Sequence, residues 1–281
     1  MNSQSIIQHW TSTLLHALGE EPLTIADVRV SVFYTGVQLT GGHAGVAFTP
    51  RGLSDTVCCP RTAAKTPLAG RLAGQSAWAL AEYAQSADGL QCSVGIATLN
   101  ALSALALSRC STPGARLLPG ADALDTAEVQ PQDRVALVGA FTPFIKRLKG
   151  RVAALWIIDK HAEALKPDER TLWCPPERAL PVLEQASVVI LTGSTLVEGG
   201  TDELLEACRG ARRVVMAGPT ASPFPPAFFA RGVHVLGGIR VTNGPKLMQI
   251  VGEGGSGYSF QQAAEKICIV RSEDRTGDGD E

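Results

Sequence analysis

Short loops with glycine and hydroxyl side chains follow three apolar runs in the second half of the sequence, at residues 139–142, 192–195 and 218–220. In an open parallel sheet, ligands bind beyond the carboxyl ends of the strands, so we expect a ligand at these loops. Their hydroxyls and backbone N–H groups suit a polar ligand, although the same residues also form structural turns. The candidate binding residues are Gly139, Phe141, Thr142, Thr192, Gly193, Ser194, Thr195, Gly218 and Thr220.

The first loop has features of an anion site but not those of a dinucleotide site. Thr142 fits a helix N-cap and Pro143 fits the first helical position, so unpaired backbone N–H groups would face a ligand. The loop has one glycine rather than three, and the bulky Phe141 stands where a pyrophosphate would approach. A phosphate or carboxylate site and a capped structural turn both remain open.

Two further polar residues extend the candidate site. Asp159 follows Gly139 by about twenty residues, an offset at which an acid commonly accepts hydrogen bonds from a ribose. The alternative is a surface aspartate beside Lys160, because the glycine fingerprint is absent. Asn243 lies in a polar turn late in the chain and either closes the same crevice or is solvated.

One group of residues in the first half could bind a metal ion. His43 stands in a glycine-rich turn, and Cys58 and Cys59 follow at a short distance along the chain. Imidazole and thiolate are ligands for zinc, copper(I), nickel or cobalt. Neighbouring residues of an extended segment point to opposite sides, so buried cysteines that act as small apolar residues are the alternative.

The composition excludes several classes of protein. Among 281 residues, 25 are basic and 27 acidic, and 45% are hydrophobic, which argues for a globular protein and against a nucleic-acid partner. The start resembles no secretory signal, and the most apolar stretch, at residues 92–107, is too short and too polar for a membrane span. Seven cysteines, an odd number, favour reduced thiols in the cytoplasm. The oligomeric state stays open, a homo-oligomer included.

The hydrophobic pattern changes near the middle of the chain. An amphipathic helix, an antiparallel meander over residues 24–48 and helices over 68–85 and 92–107 are predicted first. From residue 134 onward, apolar runs alternate with helical patterns, which is typical of a parallel sheet covered on both faces. We therefore predict an α/β protein with domains at 1–128 and 129–271 and a disordered tail at 272–281.

Several ordered segments together resemble a known family. These are residues 46–51, 93–101, 138–141, 191–196 and 218–232. In order and spacing they are similar to the prokaryotic heavy-metal chelation family, over about residues 28–270. The resemblance implies a small enolase-N-terminal-like α+β domain followed by a Rossmann-like domain. It also implies a role with a transition metal ion or metal chelate and a link to anaerobic cobalamin biosynthesis, but it supplies no catalytic residues.

Three hypotheses about function follow from these observations. The leading one is a protein that binds a heavy metal or metal chelate in the cleft between the domains. The alternative is an enzyme that uses a nucleoside-containing cofactor, S-adenosylmethionine or NAD. A third is a non-catalytic partner protein in a metal-dependent pathway. The sequence leaves open whether the protein catalyses a reaction.

Overall fold

The computed structural model describes residues 4–50 and 68–272. It is a mixed α/β fold with a small antiparallel sheet and an eight-stranded, mostly parallel sheet. The expected two-part α/β architecture is therefore confirmed.

The small sheet is the predicted meander. Its strands are β1 (Ile25–Val30), β2 (Tyr34–Leu39) and β3 (Ala44–Phe48), in the order β1-β2-β3. All neighbours are antiparallel, with Val28 opposite Val37 and Thr35 opposite Ala47. Consecutive residues of β2 and β3 are buried, which indicates that both faces of the sheet are covered.

The helices of the first half differ in length from the prediction. They are α1 (Ile6–Leu18), α2 (Ala77–Ala81) and α3 (Gly89–Arg109), and a 3₁₀ turn at Glu82–Gln85 continues α2. The predicted helix over 68–85 was wrong in its first half, because Leu68, Gly70 and Gly74 have positive φ angles that an α-helix does not allow.

Helix α3 is the central element of the molecule. It packs against β2 and β3 on one side and against α1 and α2 elsewhere. By length and composition it is the one helix in the described ranges that could cross a membrane, but 78% of its most apolar window is buried inside the fold. The prediction of a buried helix is thus confirmed.

The large sheet contains the remaining strands, in the order β4-β11-β10-β9-β8-β5-β6-β7. Strands β5 to β10 are mutually parallel, whereas β11 is antiparallel to both β10 and β4. The strands are β4 (Ala115–Pro119), β5 (Arg134–Val138), β6 (Ala154–Ile158), β7 (Trp173–Cys174), β8 (Val188–Thr192), β9 (Arg213–Ala217), β10 (Val235–Val241) and β11 (Ala264–Arg271).

Helices lie between these strands. They are α4 (Ala123–Thr126), α5 (Thr142–Leu148), α6 (Ala179–Gln185), α7 (Thr195–Glu198), α8 (Thr201–Ala207), α9 (Pro226–Phe229) and α10 (Gly244–Gly252). Helix α10 packs against β1 and β2, so an element from the second half covers the small sheet.

A continuous apolar core joins the two halves. One cluster of buried residues runs from α1 and α3 to β8, β9 and α9. Within it, the Trp10 ring meets Phe228 edge to face at 5.3 Å, and Trp10 Nε1 donates to Ser103 Oγ at 2.9 Å. The boundary at residue 128 stays a prediction, although β4 precedes it and pairs within the large sheet. The predicted tail lies outside the described residues except for Ser272.

Candidate functional site

The strand order creates a switch point between β5 and β8. From β5 the chain continues to β6 and β7 on one side of the sheet, and then to β8, β9 and β10 on the other. Loops that leave neighbouring strands in opposite directions open a crevice at their carboxyl ends. Gly139 follows β5 and Thr192 ends β8, so the predicted loops meet at this point.

The loop after β5 fits tightly against β8. Gly139 has a φ of +102°, and a Cβ placed on it would lie 3.1 Å from Thr192 Cγ2 and 3.6 Å from the Phe141 ring. A glycine is therefore required here for both backbone conformation and space. Phe141 stacks on Phe144, with ring centroids 5.1 Å apart, and both half-buried rings pack against the apolar core of the large sheet.

The helix start differs from the prediction in a way that weakens the anion site. Helix α5 begins at Thr142 itself, and the N-cap is Phe141, without a side-chain capping bond. The N–H of Phe144 already donates to the Phe141 carbonyl at 2.9 Å. Thr142 is exposed and is the first residue of the helix rather than its N-cap.

Asp159 organises this loop. Its Oδ2 accepts a hydrogen bond from the N–H of Ala140 at 2.9 Å, and its Oδ1 accepts one from the N–H of His161 at 2.9 Å. Each carboxylate oxygen thus holds a backbone group of the protein. The neighbouring Lys160 forms an ion pair with Glu198 at 3.0 Å and so links the loop after β6 to helix α7.

The loop after β8 contributes two half-buried hydroxyls. Thr192 Oγ1 accepts hydrogen bonds from Ser194 N at 3.3 Å and Ser194 Oγ at 3.1 Å, so its own proton stays available to a ligand. Thr195 is buried and donates to the Thr192 carbonyl. Gly193 is buried too, because a Cβ there would lie 2.6 Å from the backbone nitrogen of Ala221.

The loop after β9 joins the halves directly rather than across a gap. Gly218 has a φ of +107°, and its N–H donates to the Gly237 carbonyl. Thr220 Oγ1 accepts a hydrogen bond from Phe48 N at 2.9 Å, and the Thr220 carbonyl accepts one from Asn100 Nδ2 at 2.9 Å. The expected interdomain cleft is therefore closed at Thr220, whose hydroxyl is hydrogen-bonded to the first half of the chain.

Tyr34, which the sequence interpretation did not single out, lies beside the same loop. A Cβ placed on Gly257 would lie 3.4 Å from Tyr34 Oη and 3.3 Å from Pro219 Cγ. The ring meets Phe260 edge to face at 5.0 Å. Burial, followed by the nearby Tyr258, raises the pKa of Tyr34 to about 12. The sequence around a tyrosine at the start of a strand does not predict that it lies beside a loop of the other half.

Two predicted residues lie away from the switch point. Asn243 follows β10, two strands from β8, and its side chain caps α10 by accepting from Lys246 N at 3.0 Å. His43 pairs with Ser108 Oγ at 3.1 Å, near the end of α3. Burial, and then the charge of Arg109, lowers the pKa of His43. Its proposed partners Cys58 and Cys59 lie outside the described residues.

Ligands for a bare metal ion do not gather in the described part of the chain. Residues 4–50 and 68–272 contain no group of three or more histidine, cysteine, aspartate or glutamate side chains that could hold one. Burial raises the pKa of the Cys92 thiol to about 11 and that of Cys208 to about 12, which keeps both protonated at neutral pH. The polar groups that the switch point offers to a ligand are therefore oxygen and N–H groups rather than thiolates.

Two surface cavities lie away from this edge. One, of about 410 Å³, lies beside Arg116 and Arg213, near the amino end of β9. The other, of about 620 Å³, is a groove lined by Leu180, Glu184 and Glu203 on α6 and α8. Neither includes the loops after β5, β8 and β9.

Fold and site together define a two-domain α/β protein with polar loops at the switch point of an open sheet. The chain belongs to the family described as "Putative heavy-metal chelation". A family model with that description matches residues 122–269, and a second with the same description matches residues 12–103. No curated protein matches the chain.

Two solved structures share this fold. One is a protein of unknown function from the DUF364 family of Pyrococcus horikoshii, 18% identical, with a TM-score of 0.74 over 95% of this chain and 100% of that chain. The other is a DUF364 protein of unknown function from Desulfitobacterium hafniense, 19% identical, with a TM-score of 0.73 over 94% and 98%. At these identities the likeness concerns the fold alone.

Proposed function

We propose that the protein binds a heavy metal as a chelate, at the carboxyl ends of β5, β8 and β9. The observation that carries the proposal is the meeting of Gly139, Phe141 and Thr192 at the switch point of a chain that belongs to this family. In this proposal the chelate's own donor atoms hold the metal, and the protein binds the chelate's outer groups.

Each part of the switch point supplies one kind of contact. The hydroxyl of Thr142 and the free hydroxyl proton of Thr192 suit the oxygens of carboxylate, hydroxamate or phosphate groups. The stacked rings of Phe141 and Phe144 offer an apolar face to the ligand framework. A corrinoid-type chelate, as in cobalamin metabolism, combines both kinds of surface and is one member of this ligand class.

A binding panel tests the proposal. Dialysed protein is titrated with nickel, cobalt, zinc, copper(I) and iron, as free ions, as citrate complexes and, for cobalt, as a corrinoid. We expect saturable binding of at least one chelate. Thr192→Val keeps the side-chain shape and should weaken binding about tenfold, because it removes one hydrogen-bond donor.

Thr112→Val, outside the site, is the matched control and should bind as the wild type does. Absence of binding to every ion and chelate would overturn the proposal. If free ions bind and Thr192→Val does not change their affinity, the metal site lies elsewhere in the protein.

The nucleoside-cofactor hypothesis has weaker support. Both oxygens of Asp159 already accept backbone hydrogen bonds, and these bonds give the residue a structural role in the loop. S-adenosylmethionine and NAD belong in the same panel as competitors. Thermal stabilisation by either one, reduced in Asp159→Ala, would favour that enzyme class over chelate binding.

The location and assembly of the protein remain proposals as well. The described cysteines are all free thiols, which fits the reducing cytoplasm. We propose no nucleic-acid or membrane partner, and a homo-oligomer is compatible with the fold. A pull-down that recovers a protein partner from a chain that binds no small molecule would support the partner-protein hypothesis instead.

A further inference from the structure

We infer that the first half contributes Tyr34 to the proposed site, where its phenol donates a hydrogen bond to an oxyanion of the bound chelate. The inference rests on the proposed function and narrows it to chelates that carry carboxylate or similar oxygen groups. Neither the bare metal ion nor a neutral chelate would use this contact.

The position of Tyr34 carries the inference. Its hydroxyl lies beside Gly257, because a Cβ on that glycine would be 3.4 Å from Tyr34 Oη and 3.3 Å from Cγ of Pro219, which belongs to the loop after β9. That loop packs directly on the next one, because a Cβ on Gly193 would lie 3.0 Å from the Thr220 carbonyl carbon. The end of β9 is two strand spacings, or roughly 10 Å, from the end of β5. A chelate of ordinary size spans that distance.

The hydroxyl of Tyr34 is free to make this contact. Among residues 4–50 and 68–272, no hydrogen bond joins it to another side chain or to the backbone. The residue is only half-buried, so its hydroxyl end is not sealed in the core. A polar group held at an interface without a partner in the protein is available for a ligand.

The ring is also held rigidly and in the right protonation state. Edge-to-face packing on the buried Phe260 fixes its orientation, so little freedom is lost on binding. With a pKa of about 12, the phenol stays protonated at neutral pH and acts as a donor. A protonated donor favours an anionic acceptor over a metal ion, which would require the phenolate.

Tyr34→Phe tests the inference, with ferric citrate and cobalt citrate as probes. The variant removes only the hydroxyl, which has no partner in the described fold, so its melting temperature should stay unchanged. We expect a loss of affinity of about tenfold to a hundredfold, the effect of one hydrogen bond to a charged group. Tyr83→Phe, in the 3₁₀ turn after α2, removes the same atom elsewhere and should bind normally.

A spectroscopic measurement separates a direct contact from a structural effect. Binding of citrate complexes to the wild type should change the near-ultraviolet tyrosine absorption, and Tyr34→Phe should abolish that change. Equal affinity of Tyr34→Phe and wild type for both probes would overturn the inference but leave chelate binding intact. Failure of the wild type to bind any member of the panel would overturn the proposed function, and the inference with it.

Discussion

Asp133 is the buried carboxylate on which the amino ends of several strands depend. Its side chain is 5% exposed and accepts from Ser187 Oγ at 2.8 Å, from Gln130 N at 2.7 Å and from both Nε and Nη2 of Arg212. Gln130 and Asp133 precede β5, Ser187 precedes β8 and Arg212 precedes β9. One carboxylate thus ties together the edge of the sheet opposite the proposed site.

Asp133→Asn should lower the free energy of unfolding by about 1–3 kcal/mol, because it removes the charge that holds Arg212 and leaves donors unpaired. This expected loss of stability is smaller than the loss for a fully buried ion pair, because Arg212 is 41% exposed. Urea unfolding at neutral pH measures it. Asp125→Asn, at an exposed position, is the control and should change stability by less than about 0.5 kcal/mol.

The same pair predicts how stability depends on pH. Burial alone would raise the pKa of Asp133, but hydrogen bonds from Arg212, Gln130 and Ser187 hold it below the ordinary value of 3.8. Asp133 therefore binds its proton more tightly in the unfolded chain than in the folded protein. Its contribution to stability is complete above pH 3.8 and is lost as the pH falls further. Wild type and Asp133→Asn should therefore converge in stability in acid, and a constant difference would contradict this.

Helix α3 depends on two close backbone approaches. A Cβ on Gly95 would lie 1.9 Å from Ala84 N, and one on Gly45 would lie 2.4 Å from Ala101 N. Both obstacles are backbone atoms, which cannot swing aside as a side chain can. The small residues at these positions allow the helix to lie directly on the turn after α2 and on β3.

Gly95→Ala should therefore destabilise the fold. In an exposed helix, replacement of glycine by alanine would raise the free energy of unfolding by about 1 kcal/mol. Here the overlap of the new Cβ with Ala84 costs more, and we expect the free energy of unfolding to fall by at least about 2 kcal/mol. Chemical denaturation gives the value. Gly210→Ala is the matched control, because its Cβ would have only Glu184 O nearby, at 3.9 Å. Equal stability of the two variants would show that α3 can shift.

Periodicity in the sequence predicts most elements of the large sheet and fails where the strand is short or polar. The apolar runs at 135–138, 153–158, 188–191 and 214–216 correspond to β5, β6, β8 and β9. Strand β4 has no long apolar run, and its proline and glycine neighbours are typical of turns. Strand β4 is stabilised by its pairing with β11, about 150 residues later, and the local sequence pattern does not predict such a distant partner.

At the scale of the whole molecule, Thr220 supplies a polar link between the halves beside their shared apolar core. Its hydroxyl accepts from Phe48 N, and Asn100 Nδ2 donates both to its carbonyl and to that of Val46 at 2.9 Å. Asn100 is 1% exposed, so these bonds are shielded from water. They join β3, α3 and the loop after β9 at one point.

Thr220→Val keeps the shape of the side chain and removes the acceptor of the Phe48 N–H. We expect a loss of about 1–3 kcal/mol, the cost of an unpaired buried donor. Thr220→Ser retains the hydroxyl and should lose less. Calorimetry should show a single transition for both, because the apolar core is shared, and separate transitions for the two halves would contradict that view.

The sequence predicts which loops meet at the switch point but not how the two halves close over them. Gly139, Thr192 and Gly193 come together as the order of strands requires. The roles of Thr220 and Tyr34 depend on residues from the other half, Phe48 and Pro219, which are far away along the chain. Such contacts arise from packing of the halves, which local periodicity does not encode.

The burial of α3 has a consequence for synthesis of the protein. The ribosome releases this apolar helix after α1, α2, β2 and β3 but before its other covering residues, since Thr220 and Phe224, which bond to Asn100 and Ser103, follow 120 and 121 residues later. Until then the side of the helix that faces the second half stays exposed, on a segment long enough to cross a membrane. We expect chaperones to hold it during translation, and folding to be completed only after β9 has emerged.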